Sequence, residues 1–202
     1  MNKILHINSS VRSSGSVSRQ LTAEFVAKLK EAHPGAEVMD RDLAAEPVPH
    51  LSEQMMGAFF TPAEQRTPEQ TATVRLSDEL LAELLSADVI VIGAPMYNFS
   101  VASSLKAWID HVARAGLTFK YTSGGPVGLV QGKKVYVFTS RGGVYSEGAG
   151  KDMDFHETYL RGVLAFMGMT DVSFIHTEGL AMGAESAERA MEQSRKAIAE
   201  MV

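Results

Sequence analysis

Three short segments hold the residue types from which chemistry could be built. The first is Ser9-Ser10-Val11-Arg12-Ser13-Ser14-Gly15-Ser16-Val17-Ser18, in which six of ten residues are Ser. Hydroxyls at the start of a helix lie beside free backbone N–H groups and the positive end of the helix dipole, a combination that suits a phosphate. A Ser-rich turn ending in an ordinary Ser cap is the alternative. The second segment, Ala94-Pro95-Met96-Tyr97-Asn98-Phe99-Ser100, crowds Met, Tyr and Phe around an Asn. These could wall a flat ring, with Asn98 offering donors and an acceptor to a heterocycle edge; core packing is their plainer use. The third, Thr139-Ser140-Arg141-Gly142-Gly143, ends in paired glycines. Paired glycines let a backbone approach a ligand closely or take up positive φ, or they make a tight turn.

What could bring the three together is an alternation of strands and helices. Strands are expected at Lys3–Asn8, Glu37–Asp42, Val89–Gly93, Lys134–Thr139 and Val172–His176, the third a β-branched run with no polar alternation. Between them, helical period runs over Ser16–Ala32, Thr67–Ala87, Val101–Arg114, Phe155–Met167 and Glu185–Met201. Thr67-Pro68-Glu69-Gln70 carries a cap, a Pro at the first helical position and a Gln three residues after the cap. Leu43 to Arg66, with Pro47, Pro49 and Pro62, reads as an irregular excursion whose Leu51, Met55, Met56, Phe59 and Phe60 need burial. Alternation of this kind predicts an α/β, doubly wound, five-stranded parallel sheet with helices on both faces, in the flavodoxin-like order 2-1-3-4-5. One domain over residues 1–202 is expected. In such sheets ligands sit beyond the carboxyl ends of the strands at the switch point. All three segments then fall there, and one phosphate plus one planar ring describes FMN better than a dinucleotide.

Composition and absent motifs narrow the field. With 19 Lys and Arg against 24 Asp and Glu, the formal net charge is −5 over 202 residues, which argues against nucleic-acid or membrane-surface binding. No Cys is present, which removes disulfides, thiolate metal sites and cysteine nucleophiles. Ile4-Leu5-His6-Ile7 is too short for a signal peptide, and Val89 to Met96 falls far below the ~20 residues that span a bilayer, so a cytoplasmic protein is expected. No Gly-x-Ser-x-Gly elbow occurs. Gly148-Ala149-Gly150 lacks the third glycine of a dinucleotide fingerprint, with Met153 in its place, and Gly128 to Lys133 fails the P-loop spacing. The six His form no metal pair, each reading as a surface or singly bonded residue, and Asp152 and Asp154 read as solvated loop charges. No metal site is expected.

Met96-Tyr97-Asn98-Phe99 and Ser140-Arg141-Gly142-Gly143 resemble the two ring-binding loops of the bacterial FMN-dependent NADH-azoreductase family, also described as NADH:quinone oxidoreductases. Ala113 to Tyr121, Gly128 to Lys134, Arg41 to Ala44 and Gly168 to Val172 are similar to its pattern too, so the resemblance runs from about Lys3 to Gly183. It implies phosphate and ribityl contacts at Ser10, Ser16, Val17 and Ser18. Ring contacts are implied at Met96, Tyr97, Asn98, Phe99, Ser140, Arg141, Gly142 and Gly143. Tyr121 and Phe166 match positions of the acceptor pocket, with core packing as the alternative for Phe166, and Phe60 lies in the excursion that the dimer would fold over that pocket. The resemblance further implies one FMN per subunit, NADH as donor, quinones and azo compounds as acceptors in a ping-pong cycle, and a homodimer with two interfacial sites. The chain departs most at Tyr145 to Thr158, where the loop is longer than in some relatives. A flavodoxin-type electron carrier and a non-catalytic flavin-binding regulator are the competing readings. The absence of an acid/base constellation agrees with all three, since a flavin carries the difficult chemistry itself.

Overall fold

The structure, a computed structural model, describes residues 1–202. Strands β1 (Lys3–Asn8), β2 (Glu37–Asp42), β3 (Val89–Pro95), β6 (Lys134–Ser140) and β7 (Asp171–Thr177) form one sheet in the order β2-β1-β3-β6-β7. Every neighbouring pair is parallel. Counted among these strands alone the order is 2-1-3-4-5, as expected. All seven residues of β3 are buried, which is why its sequence shows no polar alternation, whereas β2 is partly wet along one edge.

The pleat sorts apolar residues onto two faces. Ile4, Val89, Val91, Phe138 and Ile175 pack against helices α1 (Val17–Ala32) and α6 (Ala184–Met201) through Leu21, Phe25, Leu29 and Ile198. Leu5, Ile7, Ile90, Ile92, Val135 and Val137 face α3 (Pro68–Ser86), α4 (Ser103–Val112) and α5 (Phe155–Met167) on the other side. Adjacent residues such as Ile90 and Val91 therefore serve different layers. Trp108 and Ile109 are both buried in α4. The Thr67 and Gln70 capping box forms, with Pro68 at its expected place.

Two stretches differ from expectation. Within the excursion at 43–66, helix α2 (Glu53–Phe60) forms between Pro49 and Pro62, capped by Ser52 and burying Met55 and Ala58. Eight residues are too few for a helical period to stand out between prolines. Leu51 and Met56 are more than a third exposed, so the expected burial holds for only part of this segment. The second is an antiparallel hairpin of β4 (Phe119–Thr122) and β5 (Gly125–Gly128), where the sequence read as loop. Its glycines and Pro126 carry a turn signal and hide the four-residue strands. The hairpin docks on the end of α5, where Gly168 takes φ +104°. A Cβ on Gly128 would lie 2.1 Å from the Gly168 backbone nitrogen, so only glycine fits that crossing.

Candidate active site at the carboxyl edge of the sheet

The three segments meet as the topology requires, and each is fastened separately. After β1, Ser9 donates its backbone N–H and its hydroxyl to the Gly93 carbonyl at 3.1 and 2.7 Å. Arg19 then pins the loop from α1: its guanidinium donates to the Ser10 carbonyl at 2.8 Å and grips Asp42 through two bonds of 2.7 and 2.6 Å. Those Arg19 hydrogen bonds are the main reason the Asp42 carboxyl is held down to about 2. Ser16 caps α1, accepting the Arg19 N–H at 3.4 Å, and its hydroxyl lies 3.2 Å from the Ser18 hydroxyl. The Val17 and Ser18 N–H groups have no protein acceptor, and the first turn of α1 carries no acidic residue to compete for them.

After β3, Tyr97 and Ser100 exchange backbone hydrogen bonds of 2.9 and 3.1 Å, closing a turn whose central residues are left-handed: Asn98 at φ 48° and Phe99 at φ 68°. Two adjacent non-glycine residues in that region store strain, a feature concentrated at ligand clamps. The turn leaves both of their N–H groups unpaired. Met96 donates its N–H to Ser140 at 2.9 Å, and Phe99 meets Tyr145 edge-on at 6.1 Å, so the second segment rests against the third.

After β6, the carbonyls of Arg141, Gly142 and Gly143 accept from Leu180, Ala181 and Gly179 at 3.1, 2.9 and 3.0 Å, while the Gly142 and Gly143 N–H groups donate to nothing. Neither glycine has a positive φ, contrary to one of the two uses expected of them. What they provide is room: a Cβ would stand 3.4 Å from Ala181 at Gly142 and 3.3 Å from the Tyr145 ring at Gly143.

A cavity of about 320 Å³ opens among these loops. Of the expected contacts, Ser10, Ser16, Val17, Met96, Tyr97, Ser140, Arg141 and Gly142 line it. Ser18 is buried inside the first turn of α1, and Asn98 lines an adjoining cavity of about 770 Å³ that shares Tyr97. Phe99 and Gly143 line neither cavity; both lie against the Tyr145 ring. The residues suit FMN. Free first-turn amides, the Ser16 hydroxyl and the neighbouring Arg12 form an anion cradle; Met96, Tyr97, Ser140 and Gly142, the last with its N–H unpaired, line the rest of the cavity.

The expected acceptor-pocket residues are not brought to this cavity within one chain. Phe60 ends α2 with 71% of its surface exposed, and Tyr121 projects from β4, where a loop was expected, with 73% exposed. Phe166 packs on Phe119 at 4.3 Å and against the larger core. Arg12, Leu180 and Ala187 line the cavity without having been singled out. Leu180 and Ala187 follow the fifth strand of the sheet, whose carboxyl end lies on the same edge; that was the available signal.

Two readings need correction. Asp154 is not a solvated loop charge: it caps α5 through the His156 and Glu157 N–H groups and lies 2.9 Å from the buried Arg141 guanidinium. Nor are all the histidines surface or singly bonded. His6 contacts both Asp40 and Asn8. His156 is fully buried with neither ring nitrogen partnered, and burial, aided by the Arg141 charge, pulls it down to about 4.

Comparison with known proteins places this geometry. A family model described as a flavodoxin-like fold matches residues 2–202. An FMN-dependent NADH:quinone oxidoreductase of Herminiimonas arsenicoxydans is 61% identical over 202 residues, covering 100% of this chain and 99% of that protein. Another from Azotobacter vinelandii is 52% identical over 201 residues, covering 100% of both. Among solved structures, an azoreductase from Bacillus anthracis superimposes with a TM-score of 0.91 at 33% identity, over 99% of this chain and 98% of that one. An FMN-dependent NADH-azoreductase from the same species, in complex with FMN, gives 0.88 at 28% identity over 100% and 99%. With identity this high over its whole length, and with the same sheet, the chain belongs to the flavodoxin-like family of FMN-dependent NADH:quinone oxidoreductases and azoreductases.

Proposed function

We propose that this chain is an FMN-dependent oxidoreductase that takes electrons in pairs from NADH and delivers them to quinones and aromatic azo compounds. The observation that carries the reading is the cavity bounded at once by the α1 amino terminus and by the two loops with unpaired amides. Bound there, FMN supplies the hydride-accepting and hydride-donating chemistry. The protein's part is to bind and orient. Ser16 and Ser10, with the Val17 and Ser18 amides, hold the phosphate and ribityl chain; Met96 to Phe99 and Ser140 to Gly143 hold the ring. No side chain is required as a general acid or base.

Donor and acceptor use one open face in turn, which makes the cycle ping-pong. Phe60 and Tyr121 are exposed, and Phe166 packs against Phe119 of the hairpin that carries Tyr121. We read them as walls of an acceptor pocket completed in a homodimer. A single domain over residues 1–202, acting in the cytoplasm, accords with this; no helix is long and apolar enough to cross a membrane.

The test is the absorption spectrum of the purified protein under anaerobic conditions. Flavin absorption should bleach on adding NADH and return on adding a quinone, with steady turnover when both are present. An electron carrier or a regulator would bind flavin without that turnover. Protein that binds no FMN, or holds FMN that NADH does not bleach, overturns the reading.

A further inference from the structure

Four donors converge on one carboxylate at the end of β7. Glu178 Oε1 accepts the Tyr145 N–H at 2.9 Å, the Ser146 N–H at 3.0 Å and the Arg141 Nη1 at 3.0 Å, while the Ser146 hydroxyl donates to Oε2. Only 11% of this side chain reaches solvent. Burial works against its charge, but the bonds from Ser146, Tyr145 and Arg141 outweigh that and keep it ionised. Arg141 is completely buried, with its Nε and Nη2 unpartnered. Its charge is balanced by two carboxylates, Glu178 from the end of β7 and Asp154 at the start of α5. Beside them, the carbonyls of residues 141–143 are all turned toward 179–181. That orientation is what leaves the Gly142 and Gly143 N–H groups free.

We propose that Glu178 is the positioning residue of the flavin-binding loop: by holding Arg141, Tyr145 and Ser146 at once, it fixes the orientation of the Gly142 and Gly143 amides. Glu178 does not line the candidate cavity; it acts through the loop. The inference rests on the reading of this cavity as the FMN site. A charge-assisted bond to a carboxylate is about twice as strong as a neutral one, so an amide in its place holds the same donors less firmly. An apolar side chain holds none of them.

The experiment is a titration of apoprotein with FMN, followed by quenching of flavin fluorescence, on wild type, Glu178→Gln and Glu178→Leu. Thermal unfolding of each apoprotein and visible circular dichroism of each FMN-saturated protein accompany it. Glu178→Gln should weaken FMN binding about tenfold and Glu178→Leu about a hundredfold. Both should alter the flavin dichroism at saturation, with Gln the closer to wild type. A merely structural role would lower the apoprotein midpoint and leave the saturated dichroism unchanged, which overturns the inference. Should Glu178→Leu fail to fold, Glu178→Gln decides alone: wild-type affinity and dichroism refute the role. If wild-type apoprotein itself takes up no FMN, it is the cofactor reading that has failed.

Discussion

At the carboxyl edge of the sheet, side chains are tied down one after another, whereas the β4–β5 hairpin leaves its largest side chain in solvent. Arg19, Ser9 and Glu178 each fix a loop to a neighbouring element with two or more hydrogen bonds. Tyr121 meets Phe119 edge-on, at 5.6 Å and 84°, and is otherwise largely in solvent. The first region is held by bonds within the chain; the second presents an aromatic side chain that the chain leaves uncovered. On the proposed reading, the cofactor takes a rigid frame that the sheet provides, while the acceptor side is left to exposed residues that a second copy would cover.

The sharpest way to break that contrast is to loosen the hairpin alone. Gly128→Ala forces a Cβ into the Gly168 backbone at 2.1 Å, and no flexible side chain can yield. Overpacking against backbone should cost about 3 kcal/mol or more, lowering the apoprotein midpoint by roughly 6–12 °C for a chain of this size. FMN affinity at low temperature should stay within about threefold. A loss of affinity matching the loss of stability would show that the two regions are one unit.

The cofactor edge should instead respond to acid. The unfolded chain protonates His156 near its ordinary value of about 6.5, while the folded chain resists until about 4. Across that window the unfolded state binds more protons, so stability rises with pH and is lost as pH falls from about 6.5 to about 4. The loss for His156 alone is about 3–4 kcal/mol, at about 1.4 kcal/mol per pH unit. His176, lowered first by burial, adds in the same direction. Asp42 acts lower still, between about 4 and 2. Urea unfolding of apoprotein at several pH values should give a steep slope for wild type and a shallower one for His156→Leu. Equal slopes would remove His156 from the account.

A charge at the cap sharpens the contrast further. Asp caps helices as well as Ser does, so Ser16→Asp should leave apoprotein stability unchanged. It also sets a carboxylate where the phosphate end of FMN is proposed to lie. Repulsion at about 4 Å near a surface is worth several kcal/mol before solvent screening, so FMN affinity should fall at least about a hundredfold. Retained affinity in a fluorescence titration would move the phosphate elsewhere.

These outcomes bear on what a sequence can carry. The strand order and the meeting of three loops were legible because β-branched runs and helical periods are local, and a doubly wound sheet sends strand ends to one edge. Ser16 as a cap could be read from its position before Val17, and the Thr67 box from four consecutive residues. Glu178, Arg19 and Asp42 could not. Their roles depend on partners 23 to 37 residues away, across strands whose register no local pattern reveals. Asp154 is hidden for a related reason, its carboxylate paired with Arg141 from the loop that follows β6. Helix α2 and the hairpin were hidden by their own prolines and glycines.

The smallest expected effect lies at Tyr121, the residue most exposed to the difference between the two regions. Its ring contributes little within the chain, having 73% of its surface free and one edge-on neighbour. Tyr121→Ala should therefore leave the thermal midpoint, FMN affinity and the rate of reduction by NADH near their wild-type values. A flat quinone or azo dye gains from an offset aromatic contact by about 1 kcal/mol, so removing one wall should lower kcat/KM for bulky acceptors severalfold. Small quinones, which cover less of the ring, should lose less. Stopped-flow measurement of each half-reaction separates these expectations, since only the oxidative half should change. If the reductive half slows equally, Tyr121 faces the donor as well. If neither changes with any acceptor, the hairpin lies outside the pocket and the acceptor wall must be sought on the other side of Tyr97.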